Sequence, residues 1–286
     1  MKRTSIIILA VVLLIMALCI IAYPWISNYL NDKYQSIILT EYEKDVEVLD
    51  DAEIQEAVQA ARAYNENLSP IRYNREAIEA AAFSYDEVLN LQGSGLIGYI
   101  EIPKIDVNLP IYHGTSEEVL QNGIGHLIGS SFPVGGNGAH AVLTGHSGVA
   151  GKRLFSDLDQ LAPDDMFFLH VLGDTLAYQV MAVNTVLPYE TDLLMADPDQ
   201  DLCTLVTCTP YGVNSHRLLV RGSRVAYEEA AEEIPETTEE PTRSTWKENY
   251  LKGLAIGGSA ALGTLFVGML VLMVFKKQKR RHSDEG

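Results

Sequence analysis

Cysteine is scarce in this 286-residue chain, which holds only Cys19, Cys203 and Cys208. If Cys203 and Cys208 share a strand, their Cα atoms lie about 16 Å apart at ~3.3 Å per residue. A disulfide needs a separation under ~7 Å, so these two do not bridge within that strand, and a disulfide-stapled fold is excluded. Basic residues are also few, with 21 Lys and Arg against 38 Asp and Glu and a net charge of −17. A surface so acidic disfavours nucleic acid, whose binding depends on Lys and Arg at the phosphates. Metal-ligand spacings such as CxxC or HExxH are missing, as are a phosphate-cradling glycine loop, a GxSxG elbow and internal repeats. Those absences argue against metallohydrolases, nucleotide-binding enzymes and α/β-hydrolases.

Long hydrophobic runs, in contrast, are present. Ile6 to Tyr23 and Gly253 to Phe275 carry no charge over 18 and 23 residues, each about enough to cross a bilayer core of ~30 Å. Lys2 and Arg3 precede the first run, and Lys276, Lys277, Lys279, Arg280 and Arg281 follow the second. The positive-inside rule then places both termini in the cytoplasm and the middle of the chain outside. Leu18 stands where a signal-peptide cleavage site needs a small residue, which favours an uncleaved anchor. With the ends set aside, the outer part keeps 14 basic and 36 acidic residues.

Between the runs the pattern changes twice. Ile38, Tyr42, Val46 and Leu49, then Ile54, Ala57, Val58, Ala61, Tyr64 and Leu68, recur at helical spacing. Asp50 and Glu53 form a capping-box pattern at the start of the second helix, Ser69-Pro70 ends it, and Arg75 to Leu91 reads as a shorter helix. From Gly98 come short β-rich runs at 98–105, 108–114, 140–146, 202–209 and 216–227, with a hairpin over 166–183 turning at Gly173-Asp174. Seven or eight strands in ~130 residues suggest a small closed barrel or a sandwich. The Glu-rich stretch 228–248 reads as an extended tether.

The chemistry concentrates in Thr204 to Gly222, TLVTCTPYGVNSHRLLVRG. Cys208 ends an apolar strand, and Arg217 lies beyond a reversal at Tyr211-Gly212. A thiol near a fixed cation is suited to nucleophilic catalysis once a histidine is at hand. Cys203, an odd number of residues away, faces oppositely and reads as a buried small hydrophobe. Among the histidines, His146 in the Thr-Gly-His-Ser-Gly loop is the least hindered candidate for proton transfer, with His140 at the other end of that strand. His113 and His126 read as hydrogen-bonding turn residues, and His170 and His216 as structural. Arg217 suits oxyanion stabilisation; Arg221, four residues on and on the same strand face, is its rival.

Five segments together resemble the sortase family, most closely its class C members, which polymerise pilins in Gram-positive bacteria. They are GYIEIPKIDVNLPIYHGTS, GIGHLIGSSFPVGG, HAVLTGHSG, KRLFSDLDQL and TLVTCTPYGVNSHRLLVRG, spread over roughly Gly93 to Val225. The resemblance implies a mainly β fold: an eight-stranded sortase-type barrel with N-terminal helices, flanked by two transmembrane helices. The expected order is a cytoplasmic N-terminus (1–5), a transmembrane helix (6–23), a helical lid region (24–92), the barrel (93–227), an acidic tether (228–252), a second transmembrane helix (253–275) and a basic cytoplasmic tail (276–286).

The resemblance also implies catalytic roles for Cys208, His146 and Arg217, and not for His140 or Arg221. The implied reaction cleaves an LPXTG-like sorting signal between Thr and Gly. A thioacyl group on Cys208 then passes to a lysine amine of a pilin subunit, without a cofactor. Pilins or surface proteins bearing such signals, a pilin lysine or a cell-wall amine, and the membrane are the implied partners. One departure stands out. The Asp-Pro-aromatic lid tripeptide common in class C has no counterpart between Asn28 and Gly95, where the nearest sequences are Ser69-Pro70-Ile71 and Phe83-Ser84-Tyr85. Ser147 also replaces the arginine that the family carries after the histidine. Three rivals remain: a sortase of another class that attaches surface proteins to the wall, a different cysteine peptidase, and a tethered barrel without chemistry.

Overall fold

A computed structural model of the chain describes residues 3–68, 85–149, 151–228, 230, 248 and 250–259. Eight strands follow one another: β1 (Leu96–Ile102), β2 (Val107–His113), β3 (Ile124–His126), β4 (His140–Thr144), β5 (Met166–Val171), β6 (Asp174–Val186), β7 (Leu202–Thr209) and β8 (His216–Val225). They close into a barrel in the order β1-β2-β3-β4-β7-β8-β6-β5, so the sheet has no open edge to protect. Pairs β2/β3 and β4/β7 are parallel and the other pairs antiparallel.

The barrel interior follows from alternation along the strands. Ile97, Ile100, Leu143, Leu169, Val180, Leu205 and Val220 belong to one buried cluster. Glycine is required where the wall is tight. A Cβ on Gly98 would lie 2.3 Å from the His170 carbonyl, and one on Gly222 would lie 2.6 Å from the Phe167 ring.

Helix α1 (Arg3–Glu47) lays its last turns on the outside of β1 and β2. Tyr42 and Val46 bury themselves there against Leu96, beside Tyr99 and Tyr112. The Tyr42 hydroxyl donates to the Ile97 carbonyl (3.0 Å) and accepts from Leu172 N–H (2.9 Å). Burial pushes that phenol up to about 12. Helix α2 (Asp51–Leu68) begins at the expected capping box: Glu53 N–H donates to Asp50 Oδ1 and Asp50 N–H to Glu53 Oε2, both at 2.9 Å. Asn65 then clasps Phe132, accepting from its N–H and donating to its carbonyl.

Several expectations change. Strand β3 is too short to show periodicity and places His126 in a wall rather than a turn. His126 is fully buried, stacked 4.8 Å from Phe132. Its Nε2 donates to the Ser131 carbonyl (2.9 Å) and its Nδ1 accepts from the Tyr85 hydroxyl (3.0 Å). The β5–β6 turn is Leu172-Gly173, with φ of 51° and 81°, the two left-handed residues of a type I′ hairpin; the expected turn was one residue later. Of the helix expected over Arg75 to Leu91, residues 86–89 form turns and Leu91–Gly93 a single 3-10 turn. The stretch 69–84 lies outside the described residues, as does nearly all of the tether.

Two compact units divide the chain at Thr242. In the second, residues 250–259 are helical. Among the described residues no helix is long and apolar enough to cross a membrane. The 253–275 run falls mostly outside those residues, and so do several side chains of the 6–23 run.

Candidate active site

Strand β7 carries the two cysteines to opposite sides of the wall. Cys203 is fully buried in the core cluster, where burial and then Asp201 push its thiol well above the ordinary value. Cys208, five residues on, is half-buried and free on the outer face. Directly across the antiparallel ladder its partner is Arg217. Paired residues of such a ladder stand about 4.5–5.5 Å apart with side chains on one face, so thiol and guanidinium share a surface. Arg217 Nη1 donates to the carbonyls of His216 (3.1 Å) and Asn214 (3.3 Å), which leaves the rest of the fork uncommitted.

His146 approaches from the other side of β7. In the parallel β4/β7 ladder Thr144 is level with Val206. The ladder then runs one residue further, because Gly145 N–H donates to the Val206 carbonyl (3.0 Å) and Thr207 Oγ1 donates to the Gly145 carbonyl (2.8 Å). His146 lies two residues past Thr144, the last paired residue of β4, on the side of β7 away from β8. Its carbonyl accepts from Phe155 N–H at 3.1 Å. Gly145 is sterically required, since a Cβ there would meet Ile124 at 2.6 Å and the Phe155 ring at 2.8 Å. Gly148 closes the loop at φ +81°, its N–H donating to the buried Ser156 hydroxyl (3.1 Å), with its Cα side against the Tyr211 ring. The loops after β4 and β7 therefore meet beside Cys208.

The remaining described histidines are engaged elsewhere. His140 joins the Met195 carbonyl and Thr204 Oγ1 (2.7 Å), and His113 bonds the Gly95 and Val88 carbonyls. His170 stacks on Tyr99 at 4.3 Å and reaches Glu101, while His216 contacts Ser215. All four are absorbed by structure.

Sequence reasoning passed over Glu117, the first residue of a short helix α3 (Glu117–Asn122) capped by Ser116. Its Oε1 lies 3.5 Å from His146 Nε2. The Gln121 amide (2.7 Å), and more weakly His146, hold this carboxyl below its ordinary value. Lys152, in the loop after His146, donates to the Gln121 carbonyl and so ties α3 to that loop. The Ser-Glu-Glu cap after His113 was the available signal, but nothing in its spacing pointed to His146, far along the chain.

A model described as a sortase domain matches residues 100–225. Among solved structures, sortase C1 of Streptococcus agalactiae is 42% identical and superposes with a TM-score of 0.63. That match covers 66% of this chain and 98% of the other. The chain belongs to the sortase family. Sortase C of Streptococcus pneumoniae is likewise 42% identical, with a TM-score of 0.59 over 66% of this chain and 97% of that one. Sortase A of Bacillus anthracis is 28% identical over 178 residues, 58% of this chain and 83% of that protein. Sortases are cysteine transpeptidases, and the face that holds Cys208 is the surface where that chemistry is sought.

Proposed function

We propose that this sortase is membrane-anchored, with its barrel outside the cell. In this reading it cleaves an LPXTG-like sorting signal between Thr and Gly and passes the acyl group to a lysine amine of a pilin subunit. The observation that carries the catalytic part is the pairing of Cys208 with Arg217 across β7 and β8, with His146 two residues past the end of β4, the strand on the other side of β7. The Cys208 sulfur attacks the threonine carbonyl carbon, and the resulting oxyanion is met by the Arg217 guanidinium. The C–N bond then breaks, with His146 supplying the proton that the glycine amine needs to leave. An incoming amine gives a proton to His146, attacks the thioacyl carbon and expels the Cys208 sulfur. The nucleophile is regenerated and no cofactor is consumed.

Pilin polymerisation is supported by the likeness to sortases C, one of which is described in terms of pilin substrate specificity. Likeness to a sortase A supports a second reading, transfer of surface proteins to a cell-wall amine. Membrane anchoring is supported by the two uncharged runs with outer basic flanks and by the exposure of Ile8, Ile15, Leu18 and Ile20 on α1, an apolar surface that water does not favour. The test offers the full chain, in membranes, an LPXTG-type peptide with a lysine-bearing pilin fragment and a wall-type amine in competition. Isopeptide product on the lysine is expected. Product on the wall amine alone would favour the second reading, and hydrolysis alone would favour a peptidase.

A further inference from the structure

Arg221 has no assigned task, yet the barrel sets it on the same outer face as Cys208. Its ladder partners are Thr204 on β7 and Ala182 on β6, just as Arg217 faces Cys208 and Val186. The two arginines are four residues apart on one strand face, about 13 Å at ~3.3 Å per residue. Arg221 is half-buried, and its Nε is fully shielded without a hydrogen-bond partner.

Charge is what makes this position unusual. In a chain with 38 acidic residues, Arg221 forms no ion pair among the described residues. The other two arginines with a shielded, unpartnered nitrogen are compensated: Arg153 pairs with Asp106 and Asp157, and Arg224 lies over the Tyr178 ring with Asp201 nearby. The loop between β6 and β7 is acidic, but among the described residues none of its carboxylates pairs with Arg221, and three of them are engaged by hydrogen bonds elsewhere. Glu190 accepts from Leu187 N–H, Asp197 from Gln200 and Asp199 N–H, and Asp201 from Tyr178 and Gly136 N–H. A guanidinium partly removed from water without an anion is costly, so a carboxylate brought to it by a bound peptide would be favoured there.

We infer that Arg221 is a specificity-determining residue that binds a carboxylate in the acyl half of the sorting signal, upstream of its threonine. The inference rests on the transpeptidase reading above. In that reading His146, on the β4 side of Cys208, serves the leaving amine, so the acyl half runs along the β8 side, where Arg221 lies. An extended peptide spans ~13 Å with about four residues. That distance brings the residue preceding the leucine of Leu-Pro-X-Thr-Gly opposite Arg221.

The test uses the full chain in detergent with Leu-Pro-Ala-Thr-Gly peptides preceded by Glu, Gln or Lys. The wild type should favour Glu over Gln in kcat/KM by roughly tenfold, in keeping with a hydrogen bond to a charged group. The preference should be carried by KM and should shrink at high salt. In Arg221→Gln the ratio should fall to about one while the Gln peptide turns over as before, which also shows that the barrel is intact. Arg221→Lys should restore part of the preference, and Arg221→Glu should shift it to the Lys peptide. A wild-type ratio within twofold of one, or a ratio unchanged in Arg221→Gln, overturns the inference alone. Failure of all three peptides to acylate Cys208, in protein whose Cys208 a separate sample shows to be open to a small alkylating reagent, would overturn the sorting-signal reading, and this inference with it.

Discussion

The inner and outer faces of strands β7 and β8 are built from interleaved residues and differ most where Cys208 and Arg217 pair. Inward, Cys203, Leu205, Leu218 and Val220 are sealed in the core. Outward, Val206, Cys208, Arg217 and Arg221 keep access to solvent, although Thr204 and Leu219 of that face are covered. The same functional group sits on both sides, and only its surroundings differ. The comparison teaches that the period-2 alternation of a strand separates a structural thiol from an accessible one at a spacing of five residues.

The sharpest way to break this contrast is to ask the two thiols directly. An alkylating reagent should label Cys208 within minutes in the folded protein, and Cys203 only on unfolding, as read by peptide mass mapping. Slow labelling of Cys208 that accelerates after removal of the residues before Gly93 would instead reveal a plug over the site. On the outer face, Arg217→Ala and His146→Ala should each lower kcat by ~10²–10³ while leaving thermal unfolding nearly unchanged. On the inner face the order reverses. Leu205→Ala should destabilise the fold by ~2–5 kcal/mol, measured by denaturant titration, with the turnover of the remaining folded enzyme intact.

A pH titration of stability sharpens the same distinction. Burial holds His126 down to about 4 against an ordinary 6.5. The unfolded chain therefore takes up a proton below 6.5 that the folded chain refuses until about 4. Stability from this neutral imidazole is full above 6.5 and declines as pH falls through that window, by up to about 3 kcal/mol. His126→Gln should flatten that slope in equilibrium unfolding. The smallest effect is expected at Glu117, whose side chain is 73% exposed beside His146. Glu117→Gln should change kcat less than about threefold, because exposed ion pairs contribute little.

Much of this arrangement was legible in the residues themselves. The alternation at 202–209 separates Cys203 from Cys208, and the Asp50/Glu53 pattern marks the start of α2. Periodicity fails for three-residue elements, and so β3 and the burial of His126 escaped it. That the strand before His146 runs beside the strand of Cys208 depends on β4 and β7 being parallel neighbours, which is set by barrel closure and not by any local signal. Resemblance to sortases, not spacing, separated Arg217 from Arg221; their register shows why spacing does not, since both lie on one face.

The most direct test of the central claim is mass spectrometry of the full chain after incubation with an LPXTG-type peptide, beside Cys208→Ala. The account predicts an acyl adduct on Cys208 of the mass of the peptide up to its threonine, released by an added amine and missing from the variant. Adduct-free Cys208 that a small alkylating reagent nonetheless modifies at once would contradict it.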